Sequence, residues 1–277
     1  MIENLDQSQI IFIVTAMIAS AIVTGFMAGF FGIGGGLIMV PILFYLFNFS
    51  GMEQAYVMHL ALGTSFSIII PTSIISTMTH MKFKAVDFDI VKTFGVFVAV
   101  GVVCGTIFAV SLKTSSLVLF FSIMTMIFSI YFLTAKEKIN PIQREINLIY
   151  RVIFGFLSGF LSAPMGIAGG VINTPILKIF GYQVKVAIGS SAAVGFLIAL
   201  IGAIGFAVSG SYLNVNVPLS LGFVNIPAFL IFAPITMFMA KIGAKTVHKF
   251  DKRLIGKLLG IYLFIISCKL FYEYFSF

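Results

Sequence analysis

The chain has 277 residues, 60% of them hydrophobic and 9% charged, with a formal net charge of +8 and a mean hydropathy of +1.13. That balance lies far outside the range of soluble domains. Several apolar runs reach the roughly 20 residues a helix needs to cross a bilayer, and the weak alternation of a membrane barrel is missing. The sequence therefore predicts an all-α polytopic membrane protein. Its lysines and arginines sit mostly in short connectors, where they report topology rather than a nucleic-acid partner.

The first predicted element, about 9–31, follows an acidic leader (Glu3, Asp6) that lacks the basic start and cleavage site of a signal peptide, so it is expected to be retained. It runs into GFFGIGGGLIMVPIL, residues 29–43. Glycine costs about 1 kcal/mol relative to alanine in a helix interior, and proline about 3, so this stretch is not one uninterrupted helix. Gly34, Gly35 and Gly36 precede a second element, about 36–47, that is too short to span alone. Elements at about 55–79, 88–110 and 115–134 follow. The third of the series carries His59, Thr64 and Ser65 and ends at His80.

A polar connector, 135–148, separates the first half (1–134) from a second (149–277) with elements at about 149–163, 169–180, 186–209, 217–240 and 254–275. Ala168, Gly169 and Gly170 open the short element here, which carries Asn173 and Thr174; Lys185, Ser190 and Ser191 follow. Cys104 and Cys268 lie in apolar runs without metal-ligand spacing and read as small buried packing residues.

The halves are copies of one another. GFMAGFFGIGGGLIMVPIL (25–43) aligns with GFLSGFLSAPMGIAGGVINTPIL (155–177), the second copy carrying four extra residues, with 12 of 19 aligned positions identical. ALGTS (61–65) aligns with AIGSS (187–191). Lys82, Lys84 and Lys92, then Lys136, Lys138, Arg144 and Arg151, then Lys241, Lys245, Lys249, Lys252, Arg253 and Lys257 mark cytoplasmic connectors. The acidic start, the loop around Glu53 and GSYLNVNV (210–217) are free of Lys and Arg and read as external. One half thus begins outside and the other inside. The expected architecture is two inverted-topology repeats of about 8–10 membrane elements, each with a Gly-broken short-helix hairpin, as in secondary transporters.

Two helix N-termini pointing at the midplane would offer backbone donors and partial positive charge to one small anion. The candidate substrate-binding residues are Gly34, Gly35, Gly36, Thr64, Ser65, Gly169, Gly170, Asn173, Thr174, Ser190 and Ser191. Asn173 and Thr174 stand where the first copy has Met39 and Val40, so the half-sites are chemically unequal. Gly25, Gly29, Gly155 and Gly159 read instead as close helix packing. Every Asp and Glu lies at or beyond an element end, which disfavours a cation carrier or proton pump. His59 and Lys185 occupy equivalent places and, with His80, are vestibule or coupling candidates.

The motifs GIGGGxxxVP (32–41), GIAGGxxxTP (166–175), ALGTS (61–65), HMKFKAVD (80–87) and PLSLGFVN (218–225) resemble the sulfite exporter TauE/SafE family of membrane transporters. The resemblance implies transport, chiefly export, of sulfite, sulfonates such as sulfoacetate, taurine or isethionate, or related small oxyanions, in a bacterial inner membrane. Its partners would be a small anionic substrate and lipid, with no cofactor, metal or catalytic residue; the oligomeric state stays open. The alternatives are an anion channel and a proton-coupled anion importer. A membrane hydrolase fits poorly, because GTSFS and GSSAA lack a nucleophile motif and a partner base.

Overall fold

A computed structural model describes residues 6–134, 147–213, 215, 217–246 and 252–276. Most of the expected connector (135–146), the acidic residues Glu3, Glu137, Glu145 and Asp251, and the basic residues Lys136, Lys138, Arg144 and Lys249 lie outside them. The described chain is helical: α1 (Gln7–Phe31), α2 (Gly36–Phe49), α3 (Val57–Lys82), α4 (Phe88–Thr93), α5 (Gly95–Ser111), α6 (Thr114–Thr134), α7 (Leu148–Ser162), α8 (Gly170–Ile179), α9 (Val184–Tyr212), α10 (Ile226–Thr246) and α11 (Lys252–Tyr274). Seven helices, α7 counted with the 3-10 turn Ala163–Met165 that extends it, are long and apolar enough to cross a membrane; α2 and α5 are shorter apolar helices.

Two stretches differ from expectation. The segment read as one helix at 88–110 is α4 and α5, meeting at Phe94. The helix expected from 217 starts at Ile226, because Leu219 (φ 56°) and Gly222 (φ 55°) turn the chain left-handed. A two-stranded antiparallel hairpin, β1 (Ser220–Leu221) with β2 (Val224–Asn225), fills the space. The Asn225 side chain then caps α10 by accepting from the Ala228 N–H at 3.0 Å.

The packing is made between halves. α3 and α9 run side by side through the centre, and α3 is the most enclosed of the seven spanning helices. α1 packs on α10, α7 on α5, and α6 on α11. These contacts recur in pairs at positions the two copies share. A methyl group on Gly29 would collide with the Ala240 carbonyl, and one on Gly159 with the Val98 carbonyl. Gly243 stands likewise against Phe26, and Gly101 against Phe156. The small residues thus let backbones touch, which is how helices associate where lipid removes the hydrophobic drive. The α6–α11 seam repeats the theme with hydrogen bonds: Ser129 Oγ donates to the Gly260 carbonyl and Ser267 Oγ to the Ser122 carbonyl, each at 2.8 Å.

Cys104 and Cys268 are exposed on the outer helix surfaces rather than buried. The inward faces of α5 and α11 carry other small residues, among them Gly101, Gly105, Gly260 and Ser267.

Candidate functional site

The site is built where the two hairpins break. α1 ends in left-handed Gly32, and Gly34 (φ 71°) and Gly35 (φ 80°) reverse the chain so that α2 can start. These angles favour residues without a Cβ. In the second half the inserted APM forms the 3-10 turn after α7, and Gly166 (φ 60°) and Gly169 (φ 68°) supply the equivalent reversal into α8.

The two breaks cross in contact. A side chain on Gly36 would strike the carbonyl of Gly166, and one on Gly170 the carbonyl of Gly32; Gly34 lies against the methyl of Ala168. Gly32 is beside Ile188 near the start of α9, Gly166 beside Leu62 near the start of α3, and Gly34 beside Ile69 in the middle of α3. The crossing is therefore central in the bundle, with each break displaced toward one end. Gly35 O accepts from Ile38 and Met39, and Gly169 O from Ile172 and Asn173, so the first N–H groups of α2 and α8 have no acceptor within their helices.

The hydroxyls around the crossing have definite tasks. Thr64 accepts from the backbone N–H of Asn225 at 2.9 Å, and Ser190 from that of Asp87 at 3.0 Å. Ser65 donates to the Gly166 carbonyl at 2.8 Å, tying α3 to the second break. Thr174 donates to Ser191 at 3.0 Å, tying α8 to α9. Asn173 is fully buried; its Oδ1 accepts from Ser158 of α7, and its Nδ2 has no partner. That Nδ2 lies within 3.0 Å of where a methyl on Gly169 would sit, so an amide donor pair is held beside the break.

One cavity, about 130 Å³, opens at the end of the bundle where α3 ends and α9 begins. It reaches Gly170 at the start of α8 and is lined by Thr174 and Lys178 of α8, Tyr131 of α6 and Lys257 of α11. Half-buried Lys178 and exposed Lys257 make its mouth positive. Neither lysine was singled out for the site from sequence. The placement of Lys178 one turn after Thr174 is a usable signal, whereas that of Lys257 depends on how α11 packs. At the opposite end a wider cavity, about 460 Å³, is lined by Tyr56, His59, Lys113, Thr114 and Phe223. His59 is buried there, its Nε2 3.0 Å from the Leu112 carbonyl and its ring stacked on Phe223. His80 is buried in the last turn of α3, its carbonyl accepting from Phe83 and Ala85. Lys185 is exposed in the first turn of α9. Tyr182, in the turn before α9, has its hydroxyl pKa pushed above the ordinary value by burial, which keeps it neutral beside this end.

Apolar spanning helices around two interrupted hairpins, with a positive cavity ending on one interruption, define a polytopic membrane transporter. Residues 17–270 match the sulfite exporter TauE/SafE family, and the chain belongs to that family. It is 31% identical to a probable membrane transporter protein of Haemophilus influenzae, over 94% of this chain and 98% of the relative. It is 29% identical to one of Methanocaldococcus jannaschii (88% and 92% covered) and 28% identical to one of Bacillus subtilis (93% and 97% covered). No solved structure matches.

Proposed function

We propose that the chain is a carrier that exports small organic or sulfur oxyanions, such as sulfite or sulfonates, across a bacterial inner membrane. The supporting observation is the cavity that ends on the free N–H groups of α8 with Thr174, Lys178 and Lys257 around it. A helix N-terminus in a low-dielectric setting attracts negative charge, and the two lysines raise the local anion concentration at the mouth. The paired contacts between halves support two inverted repeats about an axis through Gly34 and Ala168, with the basic end cytoplasmic. Gly34 against Ala168 closes the path beyond the cavity, which favours a carrier over a channel. In this reading Gly170, Thr174 and Asn173 meet the anion, while Thr64, Ser65, Ser190 and Ser191 hold the crossing in shape. Gly34, Gly35, Gly36 and Gly169 supply the backbone that makes it. Lys113, beside the buried His59 at one end, and Lys185 at the basic end draw anions into the vestibules.

Export follows from charge. With the interior negative, an anion gains roughly 2.3 kcal/mol per unit charge per 100 mV on leaving, so no coupled ion is required. The test is efflux of sulfite or sulfoacetate from proteoliposomes under a potassium-diffusion potential of either sign. Efflux is expected to accelerate with the interior negative and to persist without sodium or pH gradients. Strict dependence on either gradient overturns uncoupled export.

A further inference from the structure

A narrow gap lies at the crossing itself, apart from the cavity beside α8. Gly32 and Gly34 of the first break and Ala168 of the second line it, with Ser73 and Ser76 of α3 and Ala192 of α9. Carrying the alignment of ALGTS with AIGSS along α3 and α9 pairs Phe66 with Ala192 and Ser76 with Gly202. On one side of the crossing the Phe66 ring fills the space in front of Gly202, where even a methyl would strike it. On the other side Ala192 leaves that space open, and a hydroxyl stands in the glycine's place. The difference lies in residue type, so it does not depend on how the two halves are arranged. Ser76 is 2% exposed, and its Oγ has no hydrogen-bond partner. Its neighbours on α3 behave as hydroxyls in apolar helices ordinarily do: Thr72, Ser73 and Thr79 each donate back to a carbonyl of their own helix. A buried hydroxyl left unpaired between two helix starts points to an acceptor on a ligand.

We infer that this gap is the inner seat of the transported anion, where Ser76 donates to an oxygen of a compact, singly charged oxyanion head such as a sulfonate. The inference rests on the transport reading above and adds a charge rule to it. Ile33 and Ile188 line the cavity beside α8, whereas Gly32, Gly34 and Ala192 line the gap, so the seat adjoins the cavity along the same two backbones. Gly36 and Gly170, each two residues beyond a wall of the gap, open α2 and α8, which are 14 and 10 residues long. A helix start carries about half a unit of positive charge, so the two together balance about one negative charge. Among the described residues no charged side chain lines the gap. A dianion would therefore bring a second charge out of water with nothing to offset it. Lys178 and Lys257 gather anions of either valence at the mouth; the seat selects between them.

The experiment uses the full chain and two probes of similar shape and different charge, methanesulfonate and sulfate. Binding is read by titration calorimetry in detergent, and flux of both probes and of sulfite in proteoliposomes. Wild type is expected to bind methanesulfonate about tenfold or more tighter than sulfate. Ser76→Ala is expected to weaken methanesulfonate about three- to tenfold, while the anion-free protein melts no lower than wild type, since the change removes an unpaired buried hydroxyl. The double variant Ala192→Phe with Ser76→Gly rebuilds the Phe66–Gly202 packing on the other side of the crossing; it is expected to fold and to bind neither probe. If it does not fold, Ser76→Ala decides alone. Equal affinity for the two probes, or wild-type affinity in Ser76→Ala, overturns the inference whatever the flux. Absence of wild-type flux for all three anions overturns the transport reading whatever the binding.

Discussion

The hydroxyl of Thr64 in α3 accepts the backbone N–H of Asn225, at the end of β2, across 2.9 Å of fully buried space. Ser190 does the same for Asp87, where α4 begins. Removing such an acceptor strands an N–H away from water, at a cost of about 1–3 kcal/mol. Thr64→Val and Ser190→Ala are each expected to lower stability by that amount, and Thr64→Ser to restore it. Thermal unfolding in detergent measures the loss. If Thr64→Val melts like wild type, another group satisfies Asn225.

Gly36 and Gly170 are expected to tolerate not even alanine. Each faces the carbonyl of the opposite break, so the new methyl must separate the two hairpins. Overpacking of this kind costs about 1–3 kcal/mol and at times more. The readout is the fraction of Gly170→Ala and Gly36→Ala protein that elutes as a folded species, with transport assayed on what remains. Gly51, which has open space around it, is the control: Gly51→Ala meets no neighbour, and only its φ of 70° strains the change.

Lys178→Gln and Lys257→Gln are expected to weaken anion binding about three- to tenfold each, without changing the fold, because both side chains reach water. The wild-type advantage should shrink as ionic strength rises and the Debye length falls below about 8 Å. Thr174→Val should weaken binding at every salt concentration, since a hydroxyl turned from Ser191 to the anion carries no net charge to screen. Isothermal titration with sulfite at low and high salt separates the two behaviours. A salt-independent Lys178 effect would contradict the electrostatic role.

Asn173→Met restores the residue type that α2 carries at Met39. In the wild type the Nδ2 is buried without an acceptor, a standing cost of about 1–3 kcal/mol that an oxyanion at the break would relieve. Saturating anion should therefore raise the melting temperature of wild type more than that of Asn173→Met, and the rank order of anions should differ between the two. Equal shifts for every anion tested would remove Asn173 from substrate recognition.

The broken hairpins were legible in the sequence because clustered glycines carry a backbone cost in any helix, and because the repeat shows that cost incurred twice; Pro41 and Pro175, by contrast, sit inside α2 and α8. The lengths of α3, α6, α9 and α11 followed from continuous apolar runs. The turn before α10 did not, since LGFV is as apolar as a helix and only Leu219 and Gly222 with positive φ betray it. The tasks of Thr64 and Ser190 were hidden for a different reason. Their donors lie 161 and 103 residues away, so nothing local distinguishes a hydroxyl that holds a strand end from one that meets a ligand. Lys257 belongs to the same class: its place at the cavity is fixed by how α11 packs on α6, and no spacing within α11 announces it.

The pairing of α1 with α10 also sets a timetable for biogenesis. The glycine face of α1 finds its partner only when α10 has been made, about 200 residues later, and at roughly 5–20 residues per second that is a wait of about 10–40 s. Through this interval Gly25 and Gly29 face lipid or whatever helix the insertion machinery places beside them. α7 meets no such delay, because α5 is already in the membrane when it arrives. Crosslinkers at Gly25 and Gly29 of ribosome-stalled chains should accordingly capture neighbours other than α10 until α10 has emerged from the ribosome, and α10 itself thereafter.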